Sequence, residues 1–142
     1  MLDSQRFSFT ERRDSLGRSV IMPYVPVVLA SGDRSVEVMA LLDTGASVSV
    51  LPYDIGLELG AVWTEQTVII PLSGNLAKGE AKGLVVSGSI GSFSPVLLAF
   101  AWSQLNDSPV ILGHMNFFNA FNVCFYSHEL AFEIFQRDAR ST

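Results

Sequence analysis

The sequence predicts an all-β domain, a small barrel or sandwich, and three observations carry that prediction. Short β-rich runs recur along the chain, turn formers separate them, and only two stretches look helical. The chain has 142 residues, which suits one globular domain with a core of its own. Its composition is 49% hydrophobic and 16% charged, far from that of a disordered chain.

In chain order, the first eighteen residues hold Arg6, Arg12, Arg13 and Arg18, four of the nine basic side chains. They are expected to form a loose arm, or a hairpin closing at Ser15-Leu16-Gly17, with fraying of the terminus the expected outcome. Strands are expected over residues 24–30, 36–42, 47–51 and 67–70, where β-branched and apolar side chains cluster. Ser31-Gly32-Asp33, Ser73-Gly74-Asn75, Asn106-Asp107-Ser108-Pro109 and Ser127-His128-Glu129 read as turns. Residues 53–59, stopped by Gly60, read as a short helix, and a second helical turn is expected near 114–119. From Gly83 to Asn106 there is no charged residue, a length that raises the question of a membrane span. Ser87, Gly88, Ser89, Gly91, Ser92, Ser94 and Pro95 interrupt it, so two strands, 84–90 and 96–101, are expected instead. Two more follow at 120–126 and 130–135. With no linker or low-complexity tract, the chain divides into an arm or extra hairpin at 1–19, one domain at 20–136 and a polar tail at 137–142.

Composition also narrows the function classes. The formal net charge is −5 and no Lys or Arg lies between Lys82 and Arg137, so no nucleic-acid partner is expected. Cys124 is the sole cysteine, which excludes an internal disulfide and a cysteine-based zinc site; in an apolar run it is expected to be a small buried core residue. His114 and His128 are far apart and short of Asp, Glu or Cys company, so neither a metal nor another cofactor is expected. Phe117, Phe118, Phe121, Phe125, Phe132 and Phe135 read as core or interface, and Trp63 and Trp102 as packing residues. No apolar core follows the early arginines as in a signal peptide, so a soluble cytoplasmic protein with no membrane partner is the expectation.

The chemistry concentrates in residues 40–52, Ala-Leu-Leu-Asp-Thr-Gly-Ala-Ser-Val-Ser-Val-Leu-Pro. Asp43 sits between two strongly apolar runs, where an ionised carboxylate is costly unless hydrogen-bonded or paired. Gly45 allows close backbone approach, so its N–H is placed to support a carboxylate oxygen. Asp-Thr-Gly alone also fits a plain hairpin turn, since Asp and Gly are turn formers. The apolar flanks, which hold no other polar partner for Asp43, favour the site over the turn.

Leu41-Leu42-Asp43-Thr44-Gly45-Ala46-Ser47 resembles the signature of the retropepsin-like aspartic proteases, the single-domain, retroviral-type family. Val110-Ile111-Leu112-Gly113 is similar to that family's apolar-apolar-Gly motif, which precedes a short helix and crosses behind the catalytic loop. Residues 71–80 occupy the position of the family's flap, the hairpin that closes over substrate. The likeness spans residues 24–135 and implies a small closed barrel of the acid-protease type, with one or two short helices, acting as a twofold homodimer. It also implies an aspartic endopeptidase acting on extended polypeptide segments.

Aspartic proteolysis needs two carboxylates that share one proton, because two acids at close range cannot both ionise. The chain has one Asp-Thr-Gly, and Asp54 and Asp107 read as solvated or capping residues, so the second Asp43 is expected from a second copy. By resemblance, Asp43 is the general acid or base, Thr44 links the two loops across the dimer, and Gly45 donates its N–H to the carboxylates. Substrate would lie against Ala46, Ser47, Leu72, Ser73, Gly74, Asn75, Leu76, Ala77 and Ile111, with residues 73–78 as the flap tip and Gly74 and Gly79 permitting movement. Ala46 stands where many two-domain relatives carry a hydrogen-bonding Ser, which implies a less acidic working range. His114-Met115 stands where viral members carry Arg and then Asp or Asn, so an intersubunit ion pair there is missing or replaced. The alternative is a catalytically silent retropepsin-like module that dimerises or binds peptides; a β-barrel for a small apolar ligand has only the composition behind it.

Overall fold

The computed structural model describes residues 3–72 and 80–136. Its centre is a closed six-stranded barrel, and period-two alternation explains why these segments build it. In β4 (Tyr24–Ser31) Val25, Val27 and Leu29 are buried while Pro26 and Val28 face out. A two-residue turn with Gly32 at φ 58° leads into β5 (Arg34–Leu42), which runs antiparallel to β4 along its whole length. The remaining barrel strands are β6 (Ser49–Leu51), β7 (Ala81–Ser89), β8 (Val96–Ser103) and β9 (Val110–Leu112). Around the barrel the order is β4-β5-β9-β6-β8-β7.

The position of β9 fixes the geometry of the site. It pairs in parallel with β5, Leu41 opposite Ile111, and antiparallel with β6, Val50 opposite Ile111. The chain that leaves β5 must therefore cross the end of β9 before it can enter β6. Residues 43–48 make that crossing.

Outside the barrel, β1 (Ser4–Ser8), β11 (Ala131–Gln136) and β10 (Phe121–Tyr126) form a three-stranded antiparallel sheet, and β2 (Thr10–Arg13) with β3 (Ser19–Met22) forms a hairpin. That hairpin closes at the expected Ser15-Leu16-Gly17, where Asp14 accepts from the Leu16 and Arg18 N–H groups at 2.9 Å each. The Arg18 backbone bond above all holds the Asp14 carboxyl below its ordinary value. One core runs through the molecule, with Phe100, Trp102, Phe117, Phe121 and Phe132 among its largest fully buried side chains. Helix α1 (Tyr53–Glu58) lies flat on Trp102 because Gly56 leaves no Cβ between them, and the indole N–H donates to the Tyr53 carbonyl at 3.1 Å. Helix α2 (Phe117–Ala120) is a single turn that buries Phe117.

Three expectations change. Residues 4–8, expected to fray, pair with β11 over five positions because Phe7 and Phe9 reach the Phe132 ring. The run 67–70 is no regular strand: it touches β7 only through an Ile69–Lys82 bridge and flanking bonds from Ile70 and Gly83, after a 3₁₀ turn at Trp63–Glu65. Cys124 is exposed rather than buried, because β10 turns Phe121 and Val123 inward and Cys124 to the opposite face. Trp63 and Trp102 do pack as expected, with ring centroids 5.2 Å apart. The uncharged run 83–106 lies largely in β7 and β8, and among the described residues no helix is long and apolar enough to cross a membrane.

Candidate active site

The loop between β5 and β6 holds Asp43 half-buried, with Thr44 and Gly45 exposed beside it. The Asp43 N–H donates to the Leu112 carbonyl at 3.0 Å, which ties the residue to the end of β9. The Gly45 N–H donates to Asp43 Oδ1 at 2.9 Å, and the Ala46 N–H to the Asp43 carbonyl at 3.1 Å. One carboxylate oxygen is thus supported by the loop's own backbone.

Behind the loop, residues 113–116 follow 46–49 as a second layer. The His114 N–H donates to Ala46 at 2.9 Å, Met115 to Ser47 at 3.0 Å, and the Ser49 N–H to Met115 at 3.0 Å. Gly113 is enclosed at this junction: a Cβ there would lie 2.6 Å from the carbonyl oxygens of both Ala46 and Val48. Ser49 is fully buried, and its hydroxyl donates to the Met115 carbonyl at 3.1 Å while accepting from the Gly113 N–H at 3.0 Å. Asn116 fastens the far side, donating to the Leu97 carbonyl and accepting from the Ala99 N–H, both at 2.9 Å. The His114 side chain returns to the loop, with Nε2 2.7 Å from the Thr44 carbonyl oxygen and its ring centroid 5.2 Å from that of Phe118.

Ser49, Gly113, His114 and Asn116 are therefore structural neighbours of the candidate catalytic loop. Of these, the sequence motif puts only Gly113 behind the loop, and His114 is marked there as a departure from the motif. Ser49 carried one faint signal, a hydroxyl on the inward phase of the apolar run Val48–Leu51. Asn116 carried none.

Among the residues expected to meet substrate, Ala46 and Ser47 follow Asp43 in the same loop, half-buried and exposed respectively. Ile111 sits in β9 and is only 6% exposed. Leu72 is half-buried, while Ser73, Gly74, Asn75, Leu76 and Ala77 lie outside the described residues. Next to the loop is an apolar groove of about 270 Å³, whose walls include Val48, Val68, Ile70, Leu84, Ala99 and Met115. Val48 and Met115 belong to the two layers just described, so the groove opens at the Val48 end of the crossing segment. Among the described residues no group of three or more His, Cys, Asp or Glu side chains is placed to hold a metal ion.

A closed β-barrel with this crossing loop is a retropepsin-like fold. Among solved structures, the crystal structure of a retropepsin-like aspartic protease from Rickettsia conorii is similar, with a TM-score of 0.60 and 16% sequence identity. The likeness covers 96% of this chain and 94% of that one. At that identity it is a likeness of fold. No protein-family model and no curated protein matches the sequence.

Proposed function

We propose that this chain is an aspartic endopeptidase that works as a twofold homodimer, with Asp43 and the partner's Asp43 as its acid pair. The observation that carries this reading is the setting of Asp43, half-buried on the crossing loop and supported by the Gly45 N–H. The fold shared with a retropepsin-like aspartic protease supports it. On this reading the second acid comes from another copy; Asp54 and Asp107 are exposed and lie in α1 and in the segment after β8.

In the proposed reaction the ionised carboxylate takes a proton from water as the water oxygen attacks the scissile carbonyl carbon. The protonated carboxyl gives its proton to the carbonyl oxygen, forming a neutral tetrahedral diol. The diol collapses as the C–N bond breaks, with a proton passing to the leaving nitrogen. An extended peptide presents its backbone to the loop and one apolar side chain to the groove.

The test is cleavage of an unstructured protein by wild type and by Asp43→Asn, from about pH 3 to about pH 8. Asp43→Asn is expected to lose at least about a hundredfold in kcat/KM, since the amide can neither accept nor share the proton. The same profile reads the less acidic working range that Ala46 implies. Equal residual cleavage by the variant defeats the mechanism, and a dimer that never cleaves is the silent module.

A further inference from the structure

We propose that His114 is a positioning residue for Asp43, acting through the Thr44–Gly45 peptide group. This rests on the reading of Asp43 as the proteolytic acid. Two contacts already described belong to opposite ends of a single amide. The Thr44 carbonyl oxygen is 2.7 Å from His114 Nε2, and the N–H of the same amide, that of Gly45, is 2.9 Å from Asp43 Oδ1. A carbonyl oxygen only accepts, so Nε2 carries the proton in this contact. A donor on the oxygen of an amide draws electron density toward that oxygen and makes the amide N–H a stronger donor. The relay therefore runs from the imidazole through one peptide to the carboxylate, and its effect is to hold and stabilise the ionised form of Asp43.

The residue is held for this task at its backbone and at its ring. Its own backbone N–H is bonded to Ala46 at 2.9 Å, and Phe118 lies against the imidazole at 5.2 Å between centroids. Asp43 and His114 are also the only ionisable side chains in segments 40–52 and 110–122, which supply the loop, β6, β9 and α2. No competing charge on those elements faces the relay. When the imidazole is protonated, Nε2 still donates and the added positive charge acts in the same direction.

The experiment compares wild type, His114→Leu and His114→Gln, with kcat and KM measured across pH and the Asp43 carboxyl titration followed by carbon NMR. His114→Leu removes the donor, and His114→Gln keeps an N–H without the charge. His114→Leu is expected to lower kcat about tenfold with KM changed by less than about twofold. The acid limb should move to higher pH, because the carboxylate has lost part of its hydrogen-bond support. His114→Gln should recover most of kcat. A His114→Leu variant with wild-type kcat and acid limb overturns the relay, as does a His114→Gln variant no better than His114→Leu. Should His114→Leu fail to fold, His114→Phe keeps a ring against Phe118 without the donor and takes its place. If wild type itself does not cleave, the proteolytic reading fails but the Asp43 titration still decides the relay: an upward shift in the donor-less variant supports it, and no shift overturns it.

Discussion

Gly113 sits where the carbonyls of Ala46 and Val48 converge, and neither is the end of a flexible side chain that can step aside. Gly113→Ala must push the Asp43 loop away from β9 or strain the backbone around it. The expected cost is about 1–3 kcal/mol, seen as a lower urea midpoint with an unchanged slope, together with a loss of cleavage larger than the stability change explains. Legibility at this scale follows sequence distance. The Gly45–Asp43 contact links residues two apart, so a short motif contains both partners. The Ser49–Gly113 bond spans 64 residues and the His114–Thr44 contact spans 70, and no local pattern announces either. His114 stood out in the sequence only as a departure from a motif. Its role became visible when folding brought its ring to the Thr44 carbonyl.

Elements were legible where a run of residues alternates and both faces have settled environments. The strands β4, β5, β7, β8, β10 and β11 lie where their apolar runs predicted, with ends moved by the pairing of their neighbours. The run 67–70 has the composition of a strand, yet Val68 and Ile69 are about 60% and 58% exposed, and bridging to Lys82 does not extend into a ladder. β1 escaped notice for the opposite reason: Ser-Gln-Arg-Phe-Ser has one aromatic residue, and its partner strand lies at the other end of the chain. That single residue makes a prediction. Phe7 stacks on Phe132 with centroids 5.5 Å apart, so Phe7→Ala should cost about 2 kcal/mol, less than for a fully buried ring. Amide exchange measured across β11 should quicken on the edge paired with β1, because the strand loses the anchor that holds its neighbour in place.

For the molecule as a whole, the proposed chemistry makes activity a property of two chains. A chain with a single Asp-Thr-Gly carries half of an acid pair, so cleavage per subunit is expected to fall on dilution through the dimer dissociation range. Mixing wild type with an equal amount of Asp43→Asn and allowing exchange should leave about half the original activity, since pairs with one acid are inert. Activity that stays constant on both tests means one chain suffices and defeats the shared pair. The apolar excess of the sequence is partly accounted for by the single core, and partly remains outside in Val68, Val85, Leu97 and Met115, each more than half exposed.

The placement of β9 between β5 and β6 has a consequence in time. During synthesis Asp43 leaves the ribosome long before Leu112, Gly113 and His114, which supply the carbonyl, the enclosed backbone and the ring that hold its loop. Contacts of that sequence separation form only after the intervening chain has been made and its ends have met. A nascent chain can display the Asp-Thr-Gly motif, with the local Gly45 and Ala46 contacts, while still lacking the distant ones that hold the loop.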